Sequence, residues 1–328
     1  MSGRNPSDLT ILMMIDAYVP AAARERFRAA AEAAAPGARI LLPANHDDAI
    51  AQAPEADIAT GWSLPAGVLE RGRRLQWVHA FSAGVDGFVG LPGIRDRRVV
   101  LTRTVGAHVA LPDHVMALVL AFARRLHLDI RNQVNHVWDR PSGIGQDVAG
   151  TVLGILGLGQ IGKPLAARAK AFGMRVIGTK RTPEPVPHLD LVLPPERTDE
   201  LLGEADYVVA LLPLTPQTKG RMGEREFRLM KPTAVFINVS RGPIVQEPAL
   251  VRALREGWIA GAGLDVFDTE PLPGDHPFYE FPQVIITPHV SGITPKFFER
   301  IAAIMADNIR RYVKGEPLAN VIDVSRGY

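Results

Sequence analysis

Short apolar runs alternate with helix-like segments along most of the chain, and this alternation constrains the fold more than any other feature. An Ala- and Arg-rich segment at 21–34, which has helical character, follows the first of these runs. In the first hundred residues the runs cover 9–15, 38–42, 56–60, 76–80 and 99–102. Apolar runs of this length, bounded by turn residues and spaced by helices, are typical of βα units. We therefore predict a parallel α/β sheet for this region.

A second series of the same kind begins at Thr151. Its predicted strands are 151–156, 175–179, 207–211, 234–238, 261–265 and 284–287. Its predicted helices are 161–171, 198–202, 224–228, 247–256 and 296–313. Before this series, residues 112–128 form a long apolar segment with Asp113 near its start and Arg124 and Arg125 near its end. This order of charges suits the helix dipole, so we predict one helix that links two domains.

Length and composition limit the class of protein. A chain of 328 residues is long enough for two domains, which we place at 1–103 with 291–328 and at 104–290. The net charge of +2, without a long basic run, argues against nucleic acid or a membrane as partner. The absence of cysteine excludes disulfides, thiolate catalysis and cysteine-ligated metal, and we predict no metal site. The run at 9–15 is too short for a signal peptide or a membrane span, so we expect a cytoplasmic protein.

A glycine-rich motif, Gly-Leu-Gly-Gln-Ile-Gly, occupies 157–162 between a predicted strand and a predicted helix. Gly157 permits a tight turn, Gly159 lets the backbone approach a pyrophosphate, and Gly162 lets the helix pack closely on the strand. The N-terminus of the helix then presents N–H groups to the phosphates. In this context the motif predicts a dinucleotide-binding site, and a plain βα turn is the alternative.

The end of the next strand distinguishes the two forms of a nicotinamide cofactor. Sites for NAD usually place Asp or Glu there, about 20 residues after the glycine motif, to bind the ribose 2′-OH. This chain has Lys180, Arg181 and Thr182 instead. Two cations and a hydroxyl would bind a 2′-phosphate, which a carboxylate would repel. We therefore predict NADP, with NADPH preferred over NADH; a solvated basic turn is the alternative.

Three later segments place chemically active side chains just past predicted strands. Arg241, Glu270 and His289 each follow one of the last three strands. Because the carboxyl ends of parallel strands lie at one edge of a sheet, these groups should lie at the same edge as the glycine motif. Arginine can bind a carboxylate and a keto oxygen, histidine can donate a proton near neutral pH, and a carboxylate favours the protonated histidine. Together they predict the reduction of a 2-keto acid.

These segments resemble the D-isomer-specific 2-hydroxyacid dehydrogenase family, and the cofactor motif is closest to NADP-dependent glyoxylate/hydroxypyruvate reductases. The resemblance also covers residues 212–218 and 81–86 and extends over nearly the whole chain. It implies a Rossmann dinucleotide-binding domain and a flavodoxin-like substrate domain. It further implies hydride transfer between NADP(H) and a small 2-keto or 2-hydroxy acid, such as the reduction of glyoxylate or hydroxypyruvate to the D-2-hydroxy acid.

The resemblance implies a role for each matching residue. Arg241, Glu270 and His289 match the family's catalytic residues, and Arg241 and His289 would also contact the substrate. The backbone of Ala83, Gly84 and Val85 would bind the substrate carboxylate. Asp265 would hold the nicotinamide carboxamide, and the amides of Gln160 and Ile161 would bind the pyrophosphate. The other residues expected to bind the cofactor are Gly157, Gly159, Gly162, Lys180, Arg181, Thr182, Leu212, Pro213, Thr218 and Val239.

Some positions depart from the family pattern or allow two interpretations. Gln246 replaces a frequent Asp, and Pro112-Asp113-His114 replaces the usual Ala-Glu-His. Trp138 is similar to a tryptophan that, in some reductases, reaches the active site of the partner subunit; a buried core tryptophan is the alternative. We interpret the remaining histidines near the site as structural or surface residues: His79, His108 and His114.

The sequence leaves alternatives open for the function of the protein and gives only an expectation for its partners. By resemblance and base rate we expect a homodimer acting on a small-molecule acid. A phosphoglycerate-dehydrogenase-like enzyme for a phosphorylated acid is one alternative function. A dinucleotide-sensing co-regulator without enzymatic activity is the other.

Overall fold

The computed structural model of the chain describes residues 5–96, 98–141 and 143–324. The chain divides into two compact units. The first contains the residues up to His108 together with those from Thr294 onward, and the second is Val109–Ile293. Each unit has a parallel sheet with helices between its strands, so the predicted α/β class with two doubly wound sheets is confirmed.

The sheet of the first unit is flavodoxin-like. Its strands are β1 Thr10–Met14, β2 Arg39–Leu41, β3 Ile58–Gly61, β4 Trp77–Ala80 and β5 Val100–Arg103. They follow the order β2-β1-β3-β4-β5, and each neighbouring pair is parallel. Strands β1, β3 and β4 are buried along their whole length. A strand covered on both faces needs apolar side chains on both, which explains the nearly unbroken apolar runs in the sequence.

Short helices connect the strands of the first unit. The helices are α1 Ala21–Ala34, α2 His46–Gln52, α3 Ala66–Arg71 and α4 Asp86–Val89. The sequence predicts α1 with its observed bounds, but the three shorter helices were not predicted. Helix α2 begins where the Asn45 side chain accepts a hydrogen bond from the Asp48 amide at 3.0 Å. Such a cap satisfies an N–H group that the first turn of a helix leaves unpaired.

The sheet of the second unit has the Rossmann order. Its strands are β6 Val152–Leu156, β7 Arg175–Thr179, β8 Leu191–Leu193, β9 Tyr207–Ala210, β10 Val235–Asn238, β11 Gly261–Leu264 and β12 Val284–Ile286. They follow the order β12-β11-β10-β9-β6-β7-β8, all parallel. The order reverses between β6 and β9, and ligands bind at such a switch point in open α/β sheets. Only β8 was not predicted from the sequence; it is three residues long.

The helices of the second unit cover both faces of this sheet. They are α5 Leu111–Ala123, α6 Leu126–Val134, α7 Gly162–Ala171, α8 Thr198–Glu204, α9 Glu224–Leu229 and α10 Glu247–Arg255. Helix α5 packs against α7 and β10 and buries Val115, Val119 and Phe122 in the core of this unit.

The prediction of one helix over 112–128 is wrong. The helix is interrupted at Arg125, which has a left-handed backbone conformation with φ 54°. The amide of Gln146 donates to the carbonyl oxygen of Ala123 at 2.8 Å, so a distant segment satisfies the end of α5. Because this carbonyl oxygen accepts a hydrogen bond from outside the helix, it does not need the amide of a further helical turn as its donor.

The last helix, α11 Pro295–Lys314, belongs to the first unit and packs against α1. It begins where the Thr294 hydroxyl accepts a hydrogen bond from the Phe297 amide at 3.2 Å, and it ends at Gly315 with φ 73°. Both are common helix boundary signals. None of the helices within the described residues combines the length and apolar character needed to cross a bilayer.

Candidate active site

The second unit brings most of the predicted site residues to one edge of its sheet. Because every strand pair in this sheet is parallel, all strands end at the same edge. The glycine motif follows β6, Lys180 follows β7, and the segment 211–218 follows β9. The other residues that follow strand ends at this edge are Arg241, Asp265, Glu270 and His289. The sheet thus sets their common location, and the loops set their orientation.

The glycine turn has the geometry that a dinucleotide phosphate requires. Gly157 has φ 105°, a conformation that other residues rarely adopt. A Cβ atom on Gly162 would lie 2.6 Å from the carbonyl oxygen of Gly157, so only glycine permits this packing of α7 on the turn. In front of Gly159, by contrast, no heavy atom lies within 4 Å of an added Cβ. The first and third glycines therefore shape the turn, and the second faces open space that a pyrophosphate fits.

The loop after β9 borders the glycine turn. A Cβ on Gly157 would lie 2.8 Å from the carbonyl oxygen of Leu211. The hydroxyl of Thr218 accepts from the Thr215 amide at 2.8 Å and donates to the Pro213 carbonyl at 2.6 Å. Thr218 thus stabilises the loop that carries Leu212 and Pro213, and the loop stands beside the turn where the dinucleotide would bind.

The end of β7 combines the predicted cations with a carboxylate that we did not anticipate. Arg181 and Thr182 are exposed, and Lys180 is partly buried. Lys180 forms an ion pair with Glu184, four residues further along the chain. The hydrogen bond from Lys180, reinforced by its charge, holds the pKa of Glu184 below its usual value. Lys180 therefore already has an acidic partner.

The turn that carries Arg241 is organised by a buried amide. The Asn238 side chain at the end of β10 accepts from the Ser240 amide at 3.1 Å and from its hydroxyl at 2.8 Å. The same side chain donates to the carbonyl oxygen of Arg241 at 3.0 Å. The turn is also pressed against a second loop, because a Cβ on Gly242 would overlap the peptide bond between Phe267 and Asp268. The backbone of Arg241 is therefore fixed relative to the loop that leads to Glu270.

His289 and Glu270 form a direct pair. His289 Nδ1 lies 2.7 Å from Glu270 Oε2, and the side chains are 50% and 36% exposed. The second carboxylate oxygen accepts from the Phe267 amide at 3.0 Å. Burial alone would raise the pKa of Glu270, but hydrogen bonds from His289 and Phe267, with the charges of His289 and Arg241, outweigh burial and hold it below its usual value. Because a carboxylate only accepts, Nδ1 is the donor, and Nε2 is available for proton transfer.

Asp265 holds the backbone that carries His289. Its fully buried carboxylate accepts from the Thr287 hydroxyl at 2.6 Å, the Val290 amide at 2.9 Å and the Ser291 amide at 3.0 Å. His289 itself has φ 54°, an uncommon conformation for a histidine that these bonds on both sides stabilise. Asp265 therefore has three protein partners, and its predicted contact with a nicotinamide carboxamide stays a prediction.

The three other histidines that we singled out have protein neighbours. His79 is fully buried in β4. The ring of His108 packs 4.9 Å from that of Phe297. His114 is half-buried, with Nε2 3.3 Å from the Thr287 hydroxyl, and burial lowers its pKa although the charge of Asp265 opposes this.

The predicted carboxylate-binding loop lies in the first unit, between β4 and α4. The Ser82 hydroxyl donates to the Gly84 carbonyl at 2.6 Å, and Arg103 donates to the Ala83 carbonyl at 3.1 Å. Val85 precedes the first residue of α4. With two of their carbonyl groups engaged by side chains, Ala83 and Gly84 have a fixed backbone, as binding through main-chain amides would require.

Several residues that organise this site have no role in the sequence-based predictions. Asn238 and Thr287 position the turns of Arg241 and His289, and Glu247 contacts the loop of Glu270. One signal in the sequence could have indicated the first two: small polar residues at the ends of apolar strands. Glu247 has no such signal, because its partner lies 21 residues away on another loop. Trp138 is 94% exposed, so the alternative of a buried core tryptophan is wrong.

A dinucleotide-binding turn and an acid–base pair on one sheet edge are what a nicotinamide-dependent dehydrogenase requires. The family model that matches is "D-isomer specific 2-hydroxyacid dehydrogenase, NAD binding domain", over residues 116–291. The chain belongs to this family. It is therefore an oxidoreductase that binds a nicotinamide dinucleotide and interconverts 2-keto and 2-hydroxy acids.

Individual relatives agree with the family assignment. The chain is 38% identical to a glyoxylate reductase of Thermococcus gammatolerans over 76% of both chains. It is 36% identical to glyoxylate/hydroxypyruvate reductase B of Klebsiella pneumoniae, over 85% of this chain and 87% of that one. A crystal structure of a D-isomer specific 2-hydroxyacid dehydrogenase from Xanthobacter autotrophicus, in complex with NADPH and MES, superposes with a TM-score of 0.84 at 32% identity, over 100% of each chain.

Proposed function

We propose that this enzyme uses NADPH to reduce glyoxylate to glycolate, which is achiral, or hydroxypyruvate to the D-2-hydroxy acid. The 2.7 Å contact between His289 Nδ1 and Glu270 Oε2 carries the proposal, because it creates a proton donor at the sheet edge that bears the dinucleotide turn. The similarity to glyoxylate and glyoxylate/hydroxypyruvate reductases supports these two acids as substrates.

Each catalytic side chain has a separate task in this proposal. The nicotinamide cofactor supplies the hydride when bound. His289 donates a proton from Nε2 to the keto oxygen, and Glu270 stabilises the protonated imidazole through Nδ1. Arg241 orients the acid through its carboxylate and keto oxygen. The main chain of Ala83, Gly84 and Val85 binds the substrate carboxylate.

A substrate panel with both cofactors tests the proposed reaction. Purified enzyme is mixed with glyoxylate, hydroxypyruvate, pyruvate, phenylpyruvate and 2-ketoisocaproate, and the oxidation of NADPH or NADH is followed by absorbance. We expect the highest kcat/KM for glyoxylate or hydroxypyruvate with NADPH. A clear preference for phenylpyruvate or 2-ketoisocaproate would contradict the proposed substrates while leaving the reaction type intact.

The preference for NADPH rests on the residues after β7. Lys180, Arg181 and Thr182 replace the carboxylate that an NAD site uses, and the Glu184 carboxylate is paired with Lys180. A 2′-phosphate would compete with Glu184 for Lys180 and would also meet Arg181. Hydrogen bonds between charged groups contribute roughly 1.5–3 kcal/mol, so loss of one should cost about 10- to 100-fold in affinity.

Two substitutions test this preference in opposite directions. Arg181→Ser should lower kcat/KM for NADPH by about 10- to 100-fold and leave kcat/KM for NADH within about threefold. Glu184→Gln removes the competing charge and should raise kcat/KM for NADPH. Wild-type enzyme that favours NADH would contradict the proposed preference.

We also propose that the enzyme is a homodimer that associates through α6. Leu126, Ile130 and Val134 recur at intervals of four residues along this helix and are all exposed. Val137, Trp138 and Ile144 follow and are exposed as well. Exposed apolar side chains concentrated in one segment are typical of a protein interface, and two-fold dimers are the most common assembly.

Light scattering after size exclusion tests the dimer. Ile130→Glu places a charge in the apolar stripe and should convert the dimer into a monomer. Leu229→Glu is the matched control, because Leu229 is an exposed leucine on α9, which packs against α8 and α10. A wild-type monomer, or a dimer that survives Ile130→Glu, would contradict this interface.

The two alternative functions have weaker support. The similarity to glyoxylate and hydroxypyruvate reductases favours an unphosphorylated acid over a phosphoglycerate-like substrate. Tight binding of NADPH without turnover across the substrate panel would instead favour the co-regulator. The cytoplasmic location stays a prediction.

A further inference from the structure

Glu247, the first residue of α10, contacts the loop that leads to Glu270. Its Oε1 atom accepts a hydrogen bond from the Asp268 amide at 2.8 Å, and its Oε2 atom lies 3.5 Å from His276 Nε2. The Glu247 side chain is only 16% exposed. The hydrogen bond from the Asp268 amide therefore ties the loop to the Glu247 carboxylate, and His276 lies next to that carboxylate.

The amide that Glu247 binds is next to the amide that binds Glu270. Phe267 N–H donates to Glu270 Oε1 at 3.0 Å, and Asp268 N–H donates to Glu247 Oε1 at 2.8 Å. Two consecutive amides thus hold two different carboxylates. The two amides belong to the peptide groups on either side of the Phe267 Cα atom, so a change in the backbone torsion angles of Phe267 turns one amide relative to the other and disturbs this pair of hydrogen bonds.

The peptide bond between Phe267 and Asp268 is also confined by the turn of Arg241. A Cβ on Gly242 would overlap it, so the turn of Arg241 already lies in close contact with the loop. Glu247 follows Gly242 by five residues and binds the loop through Asp268 N–H. The backbone at 267–268 therefore has a steric boundary at Gly242 and a hydrogen-bonded anchor at Glu247.

We propose that Glu247 is a positioning residue that acts through the Asp268 amide to hold the Glu270 carboxylate against His289. This inference rests on the proposed function, because it assumes that the pair of Glu270 and His289 transfers the proton. Without Glu247 the loop can rotate, the contact at 2.7 Å between Glu270 and His289 loosens, and Glu270 stabilises the protonated imidazole less during proton transfer.

Other charged groups also face this region. Burial raises the pKa of Asp268, the charge of Glu247 raises it further, and Lys219 opposes both. Arg252 and Arg255 line the same surface cavity as Glu247, Asp268 and His276. The Glu270 carboxylate faces His289 and Arg241. The neutral acceptor of a glutamine would preserve the bond to Asp268 N–H while removing the charge from this set.

Three variants distinguish the effect of the hydrogen-bond acceptor of Glu247 from the effect of its charge and from a general effect of removing a carboxylate near α10. Glu247→Ala removes the acceptor, whereas Glu247→Gln keeps it. Glu256→Gln is the control, because Glu256 is an exposed carboxylate that follows the end of α10 and pairs with Arg252 at 2.7 Å. We measure kcat, KM and the pH dependence of kcat/KM for keto-acid reduction, together with hydrogen exchange of the backbone at 267–268.

The expected pattern is specific to a positioning role. Glu247→Ala should lower kcat about tenfold with KM within about twofold, since a misplacement of about 1 Å near the reacting groups can cost on the order of 10²-fold. The alkaline limb of its pH profile should move to lower pH, and exchange at 267–268 should accelerate. Glu247→Gln and Glu256→Gln should resemble the wild type in all of these measurements.

Several outcomes would overturn the proposal. A Glu247→Ala enzyme with the wild-type pH profile has a structural defect at most, and a Glu247→Gln enzyme that fails like Glu247→Ala shows that charge, not the acceptor, matters. Unchanged hydrogen exchange at 267–268 in Glu247→Ala would show that Glu247 does not anchor the loop. Failure of the wild-type enzyme to reduce any keto acid would instead refute the proposed function, while the exchange data would still decide whether Glu247 holds the loop.

Discussion

Two histidines, one in each unit, show how placement decides what the same side chain can do. His79 lies inside β4 of the first unit, fully buried, with its ring nitrogens 2.8 Å and 3.3 Å from the hydroxyls of Thr102 and Thr104. Burial lowers its pKa from 6.5 to about 3. His289 lies just past β12 of the second unit, half exposed, with Glu270 at 2.7 Å.

These two sites indicate that a proton donor needs both a charged partner and access to the substrate. Threonine hydroxyls satisfy the ring of His79 but supply no charge that would compensate a buried imidazolium, so the neutral form prevails. A residue inside a strand faces the side chains of neighbouring strands. A residue just past a strand lies in a loop, where a carboxylate from another loop and a ligand can both reach it.

The largest effect should follow from removal of the exposed histidine. His289→Ala removes the proton donor and should lower kcat for keto-acid reduction by on the order of 10²- to 10⁴-fold. Stopped-flow or steady-state kinetics at saturating NADPH measure this loss. The dissociation constant of NADPH, from fluorescence titration, serves as the control and should stay near the wild-type value. Near-normal turnover would break the comparison, since His289 would then be no more catalytic than His79.

Removal of the charged partner should have a smaller effect that depends on pH. Glu270→Gln keeps an acceptor for the Phe267 amide but loses the charge that favours protonated His289, so we expect reduction to slow by about tenfold at neutral pH. The alkaline limb of the pH–rate profile should move to lower pH. Glu256→Gln is the matched control at an exposed position. An unshifted profile would show that proximity of the carboxylate does not explain the behaviour of His289.

The smallest effect concerns the buried histidine and appears in stability rather than activity. Since the folded pKa of His79 is lowered to about 3, the unfolded chain binds its proton first as pH falls. The free energy of unfolding therefore decreases as pH falls below the pKa of His79 in the unfolded chain. It continues to decrease until pH reaches the pKa of His79 in the folded protein. Between pH 6 and pH 4 this histidine should remove about 2 kcal/mol from the free energy of unfolding.

Urea denaturation of His79→Gln at pH 6, 5 and 4 measures that contribution. The variant should lose about 2 kcal/mol less than the wild type between the two extremes, whatever its stability at pH 6. His188→Asn is the control, because His188 is exposed and has φ 68°, a conformation that Asn tolerates. Equal acid sensitivity of His79→Gln and wild type would show that His79 is not held neutral by the fold.

The sequence predicts strands better than helices in this protein. Every predicted strand exists, and β7 has the predicted bounds, because a buried parallel strand is a compact apolar run that local pattern reveals. Helices α2, α3 and α4 were not predicted, since four to seven residues are too few to show a helical period. The break at Arg125 was also not predicted, because the Gln146 amide that satisfies the end of α5 lies 23 residues from Ala123.

For the site, the sequence alone determined which residue types stand at the ends of which strands. The chirality and parallel order of βα units bring those ends to one edge, so the sequence is enough to group Arg241, Glu270 and His289. The tertiary structure decided how each group is engaged: Lys180 pairs with Glu184, Asp265 has three donors from the backbone and side chains around His289, and Glu247 binds the Asp268 amide. A hydrogen bond between two loops forms only when the donor–acceptor distance is correct to within a few tenths of an ångström. These loops are far apart in the chain, and no local pattern of residues encodes such a distance.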